Sequence, residues 1–328
     1  MARFAERPGR SCPRHYRYSP EVFARAPDLK AESLYVVGGL YGNPHALEAL
    51  LSRSSEENAT LVFNGDFNWF NVDAGGFSAM NEKVLKHLAL RGNVETEIAG
   101  EDSGAGCGCG YPEWVGDAEV ECSNEILRRL RETACGFPLL RARLGALPMH
   151  LVAEVGGTRI GIVHGDAESL SGWQFSQEFL RDPPARLLRL LDSAAVDVFA
   201  SSHTCLPVMQ AFETGRARVL LANNGAAGMP NFAGEKFGLV TRIATCPSPD
   251  ALYGDRIGAA WVEAVPLRYD HDAWVEHFDR AWPAGSPASL SYRNRIVCGP
   301  AYYLRQAARS SARLPGTEGR GQDLSEAA

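Results

Sequence analysis

Two histidines stand just past short β-branched runs. His164-Gly165-Asp166 follows Arg159-Ile160-Gly161-Ile162-Val163, and Ser202-His203-Thr204-Cys205 follows Val196-Asp197-Val198-Phe199-Ala200. Earlier in the chain, Gly65-Asp66 follows Leu61-Val62-Phe63, and Gly92-Asn93 follows Leu88-Ala89-Leu90. The ends of strands in an α/β sheet are where polar side chains collect beside a ligand crevice. Imidazole nitrogens, a carboxylate and an amide oxygen drawn from such ends can converge on one divalent cation, so the pattern outlines a metal site. Any one of these residues alone reads as a helix cap or loop brace; four in series, each after a strand, favour metal.

The elements that must hold them follow a βα rhythm. Leu34-Tyr35-Val36-Val37 reads as a strand, Gly38 to Pro44 as a turn, and Ala46-Leu47-Glu48-Ala49-Leu50-Leu51 as a helix. Leu61 to Phe63 opens a second unit whose helix is expected over 79–90. Residues 100–123, with Gly104, Gly106, Gly108, Gly110 and Cys107-Gly108-Cys109, are too glycine-rich for regular structure, and a helix is expected to restart at Ser123 as N-cap. Leu151 to Val155, Gly156-Gly157 and Thr158 to Val163 form a hairpin signal. A helix over 184–193, strands over 196–200, 218–222, 239–243 and 260–265, a helix from Asp272 and a loop-rich stretch through Pro283, Pro287 and Pro300 complete the reading. The expected organisation is an N-terminal arm over 1–33, one α/β domain over 34–270 and a C-terminal extension over 271–328 with a disordered end.

Bulk properties narrow the function classes. At 328 residues and 45% hydrophobic content the chain can build a substantial core. Thirty-three basic against 39 acidic residues give a net charge of -6, without the basic excess of a protein that grips a phosphate backbone. Nucleic acid is therefore not an expected partner, and neither is a membrane, since no apolar run has the length to span one. The start lacks a signal-peptide core, so the expected location is the cytoplasm. The 8 cysteines are too sparse for a disulfide scaffold and are expected to be reduced thiols.

Across residues 34 to 230 the series resembles the calcineurin-like metallophosphoesterases, whose motifs run Asp-x-His, Gly-Asp, Gly-Asn-His-Glu/Asp, a lone His and then Gly-His-x-His. The resemblance implies a four-layer α/β/β/α sandwich with metal ions held by loops at strand ends. Gly65-Asp66 matches the bridging carboxylate, Asn93 and His164 match ligands, and His203 matches the first histidine of the last motif. Gly39 and Tyr41 stand where the opening motif has its aspartate and histidine. Val94 stands where the family has the histidine that protonates the leaving group, and Cys205 replaces the final histidine. The ligands of one metal site, Asp66, Asn93, His164 and His203, are thus all present, with Cys205 a further candidate ligand and Cys107 and Cys109 conceivable recruits from the glycine-rich loop.

The resemblance implies a hydrolase with one divalent ion (manganese, iron or zinc), or two if other ligands rebuild the second site. Its substrate would be a small phosphate ester, nucleotide-like in its flat group, with Asp66 and His203 central to catalysis. Asn43 and Asn224, on loops matching family positions, are the candidate substrate-binding residues. His45 is a conceivable replacement acid, and Trp69, Phe70, Trp114 and Trp173 are candidates for stacking on a flat substrate group. Two rivals come from other classes: a binding protein that kept the fold and lost catalysis, and a thiolate-containing metal centre built on Cys205 with Cys107 and Cys109.

Overall fold

The computed structural model describes residues 7–101 and 104–309; the far C-terminal end, expected to be disordered, lies outside the described residues. The first half runs β1 (Leu29–Ala31), β2 (Ser33–Val37), α1 (Pro44–Glu56), β3 (Thr60–Asn64), α2 (Ala74–Val84), β4 (Leu88–Leu90), α3 (Asn93–Ala99), α4 (Asp117–Cys135) and α5 (Pro138–Gly145). The second runs β5 (His150–Val155), β6 (Thr158–Val163), α6 (Ala185–Ala194), β7 (Val198–Ser201), β8 (Val208–Glu213), β9 (Arg218–Asn223), β10 (Gly238–Ala244), β11 (Tyr253–Ile257), β12 (Ala260–Leu267), α7 (His271–Ala281), α8 (Pro287–Cys298) and α9 (Leu304–Ala307).

The strands form two six-stranded sheets, ordered β1-β5-β6-β7-β9-β8 and β11-β12-β10-β2-β3-β4. Strand side chains alternate between faces, and here both faces are covered. In β2, Leu34 and Val36 enter the core between the sheets, while Tyr35 and Val37 enter a second core under the helices. In β9, Leu220 and Ala222 face the inter-sheet core and Val219 and Leu221 the outer one, where Leu187 and Leu191 of α6 cover them. Helices α1, α2, α4, α7 and α8 cover the other sheet through Leu47, Phe77, Ile126, Trp274 and Ile296. This is the four-layer α/β/β/α sandwich.

The parallel pairs place the site. Strands β2, β3 and β4 run parallel in one sheet, and β6, β7 and β9 in the other. Parallel strands end on the same edge, so the turns after β3, β4, β6 and β7 deliver Asp66, Asn93, His164 and His203 to one end of the sandwich.

Three local expectations are corrected. The span 79–90 is not one helix: α2 ends at Val84, and after a turn through Lys86 and His87 the apolar Leu88–Leu90 pairs in parallel with β3. Helix α4 starts at Asp117, where Asp117 and Glu119 suit the helix dipole; Ser123 is buried within it, its Oγ 3.0 Å from the Tyr111 hydroxyl. The stretch around Pro287 is helical because that proline occupies the first turn of α8, where its missing N–H costs nothing. The N-terminal segment buries Tyr16 and Phe23 completely and adds β1 to a sheet edge beside β5. No helix among the described residues is long and apolar enough to cross a membrane.

Candidate metal centre

The sequence brings Asp66 to the sheet end in a left-handed conformation, φ 53°, straight after Gly65 at φ 78°. No side chain is possible at residue 65: a Cβ there would sit 2.5 Å from the Gly92 nitrogen. This close crossing joins the Gly65-Asp66 and Gly92-Asn93 turns. Glu95, three residues after the N-cap Gly92, ties them further by accepting from the backbone N–H groups of Asp66 at 2.7 Å, Gly92 at 3.0 Å and Phe67 at 3.2 Å. Burial, followed by the nearby Asp66 charge, pushes the Glu95 carboxyl up to about 7.

His164 Nε2 lies 3.3 Å from Asp66 Oδ2, 3.2 Å from Asn93 Oδ1 and 3.2 Å from His203 Nδ1. Ligand atoms of Asp66, His164 and His203 all lie within 4.8 Å of one another, and all four side chains are buried. Tetrahedral bonds of about 2.1 Å separate neighbouring ligand atoms by about 3.4 Å, so the spacing fits one ion.

The far side of each ligand is fixed by the backbone. His164 Nδ1 is 2.8 Å from the Asn64 carbonyl and His203 Nε2 is 2.9 Å from the Cys109 carbonyl; since a carbonyl only accepts, both nitrogens carry the proton there. Asn93 Nδ2 donates to the Cys107 carbonyl at 2.9 Å. The remaining lone pairs of His164 Nε2, His203 Nδ1 and Asn93 Oδ1 therefore face Asp66 and each other. Four acceptors pointing at one spot repel unless a cation or proton sits among them, and ligands oriented by outer backbone contacts are a metal-site pattern.

The electrostatics divide the two histidines. Burial, then the charge of His164, pushes the His203 ring down to about 4, leaving it neutral and ready to ligate. Burial works against the Asp66 carboxylate, but the His164 ring beside it prevails and holds Asp66 below its usual range. His164 moves the other way: burial lowers it and the Asp66 charge more than restores it. The two nitrogens and two oxygens form a borderline donor set suited to zinc, manganese or iron.

The other candidates are placed differently. Cys205 is not in the cluster; its Sγ lies 2.9 Å from the Tyr41 hydroxyl, and burial raises its pKa. Cys107 and Cys109 present their carbonyls to Asn93 and His203, with left-handed Gly106, Gly108 and Gly110 turning the backbone toward the ligands; the Cys109 thiol accepts from Asn93 Nδ2 at 3.5 Å, but neither thiol joins the cluster among the described residues. The thiolate centre is thus not assembled. A Cβ on Gly39 would fall 2.8 Å from the Tyr41 ring, so that ring fills the space an aspartate would need. Asn43 caps α1 by accepting from Ala46 N–H and donates to the Gly228 carbonyl, while Asn224 donates to the Gly38 and Leu239 carbonyls; neither lines the site cavity. His45, in the first turn of α1, does not line it either.

That cavity, about 230 Å³, opens beside Asp66, Asn93 and His203. Trp69 and Trp173 line it, whereas Phe70 packs in the core against Phe278 and Trp114 is 59% exposed at an edge contact with Trp173. Among the wall residues that the sequence reading did not name are Tyr111, Glu119, Tyr292 and Arg295. The available signal was the three-residue spacing of Tyr292 and Arg295, which places both on one face once α8 is recognised as a helix.

No protein-family model and no curated protein matches the chain. Solved structures do. A metallophosphoesterase from Sphaerobacter thermophilus superposes with TM-score 0.53 at 16% identity, covering 82% of this chain and 100% of that one. A hypothetical protein from Pyrococcus horikoshii superposes with TM-score 0.54 at 17% identity, covering 82% of this chain and 99% of that one. With its paired six-stranded sheets and its strand-end cluster, the chain is a divergent member of the metallophosphoesterase fold.

Proposed function

We propose that this protein hydrolyses a small phosphate ester, nucleotide-like in carrying a flat organic group, at a single divalent ion held by Asp66, Asn93, His164 and His203. The observation that carries the reading is the convergence of four lone-pair donors whose opposite sides are pinned to backbone carbonyls and amides. A divalent ion there would polarise a phosphoryl oxygen and acidify a bound water. The chain supplies the rest. Asp66 neutralises charge, the backbone contacts keep His164 and His203 in their ligating tautomers, and Trp69, Tyr111, Trp173 and Tyr292 offer ring faces and edges to a flat group. Val94 is fully buried and apolar where the resemblance expects an acid, so leaving groups that depart without a proton are favoured.

The test is elemental analysis of protein purified without added metal, beside a His203→Ala control, followed by a phosphoester panel with the ion found. About one ion, lost in the control, with metal-dependent hydrolysis supports the reading. One specific observation favours a second reading, a binding protein on this fold: the Tyr41 ring fills the space where a second metal's aspartate would stand. Metal uptake with no hydrolysis across the panel would select it.

A further inference from the structure

The cavity wall carries an arginine that no carboxylate among the described residues contacts, although Asp66 and Glu119 line the same cavity. Arg295, on α8, lines the cavity together with Asp66, Asn93 and His203. Its Nη2 donates to the Cys205 carbonyl at 2.6 Å and its Nε to the Pro230 carbonyl at 3.3 Å. Among the described residues no carboxylate pairs with it, and Nη1 has no partner. Other arginines out of full solvent meet carboxylates, as buried Arg242 does with Glu263 and half-buried Arg218 with Asp255. Arg91, Arg141 and Arg159 also lean on carbonyls, but none of them lines the cavity.

The charge is directed at a particular place. Arg295 holds the carbonyl of Cys205, and Cys205 in turn touches Tyr41, the two residues standing where the sequence lacks histidines. A guanidinium thus stands beside the two residues that occupy places where the resemblance expects histidine ligands. Guanidinium N–H groups form a planar fork that matches phosphate oxygens, and the free Nη1 keeps donors for that purpose.

We propose that Arg295 binds the non-bridging oxygens of a phosphomonoester, making one metal plus one arginine the charge complement of a terminal phosphate. This rests on the phosphoesterase reading and names its substrate class. Binding of inorganic phosphate to the metal-loaded full chain, followed by calorimetry, tests it in wild type, Arg295→Lys and Arg295→Gln, with Arg305→Gln as a control on a different groove.

The expected result is a roughly 10- to 100-fold weaker phosphate Kd in Arg295→Gln, the range for a charge-assisted hydrogen bond. Arg295→Lys should retain most of the binding, Arg305→Gln should be unchanged, and metal content should be equal throughout. On an active ester, Arg295→Gln should raise KM more than it lowers kcat. Unchanged phosphate binding in Arg295→Gln overturns the proposal, as does a loaded wild type that binds no phosphate. Equal loss in the Lys and Gln variants with a lowered Tm overturns it too, assigning Arg295 to bracing the Cys205 turn. Failure of the phosphoesterase reading shows separately, as wild type that binds phosphate through Arg295 and hydrolyses no ester.

Discussion

Replacing Gly92 by alanine puts the metal centre under a local, calculable stress. Gly92 has φ -89° and ψ -171°, an extended conformation open to any residue, so the backbone does not object. The space does: a Cβ would lie 2.2 Å from Asp66 Oδ1, 2.8 Å from the Asp66 backbone nitrogen and 3.0 Å from His164 Cε1, whereas ordinary contact begins at 3.4 Å. The Asp66 carboxylate must therefore retreat by about 1 Å, far outside the ±0.2 Å tolerance of a coordination bond, and a displacement of that size costs roughly 10²-fold in a catalytic constellation. Overpacking adds about 1–3 kcal/mol of destabilisation. Gly100→Ala at the other end of α3 is the control, because its Cβ would meet Thr96 O at 3.6 Å and nothing nearer. Metal affinity is read by competition with a chromogenic chelator, and stability by urea unfolding of the chelator-treated protein. Gly92→Ala should bind metal about 10²-fold more weakly while Gly100→Ala matches wild type. Wild-type metal affinity in Gly92→Ala would refute the placement of Asp66 in the ligand shell.

Metal at 100 times its Kd should stabilise the protein by about 2.7 kcal/mol, visible as a raised Tm that chelator abolishes and His203→Ala never shows; an equal rise in His203→Ala would place the ion elsewhere. Cys205→Ser should leave metal content unchanged, since the thiol meets Tyr41 rather than the cluster; loss of the ion would restore the thiolate centre. With Val94 in the acid position, hydrolysis should fall steeply from aryl to alkyl phosphates, by about 10²- to 10⁴-fold, and a flat leaving-group dependence would reveal an unrecognised acid. His150 packs 5.0 Å from Tyr18 and 5.2 Å from Phe23, and burial, aided by Arg25, holds its pKa below normal. The folded state then binds fewer protons than the unfolded one, so its contribution is complete above about pH 6.5 and fades as pH falls through the lowered value. Thermal melts across that window should show the loss, and His150→Phe should flatten it.

The site was legible where chemistry is written in side chains at strand ends. Asp66, Asn93, His164 and His203 each follow an apolar run, and the parallel pairing of those runs gathers them. What escaped the sequence was written in the backbone. Nothing in Cys107-Gly108-Cys109 announces that its carbonyls orient Asn93 and His203, because the decision lies in the left-handed glycines around them. Asn43 is a candidate substrate contact by its place in the loop that resembles the family's opening motif; its amide accepts from Ala46 N–H and donates to the Gly228 carbonyl, bonds that a sequence does not display. Arg295 escaped because prolines suggested loop, although Pro287 opens a helix. Leu88–Leu90 was absorbed into a helix because a run that short carries no period of its own.

The N-terminal segment matters beyond its position in the chain. Gly9 exchanges backbone bonds with Ala105 and Tyr111, on either side of the loop that orients Asn93 and His203. Tyr16 donates to Glu97 on α3 and accepts, through its carbonyl, from Leu170 in the loop after His164. The segment thus ties the loop whose carbonyls orient Asn93 and His203 to α3 and to the loop that follows His164, without contributing a ligand itself. Trimming the chain to the start of β2 would leave both sheets nearly whole and the four ligands present, yet take away that tie. Such a shortened protein would also lose the buried Tyr16 and Phe23 side chains, so weak metal binding by it would report on the missing segment and not on the four residues of the cluster.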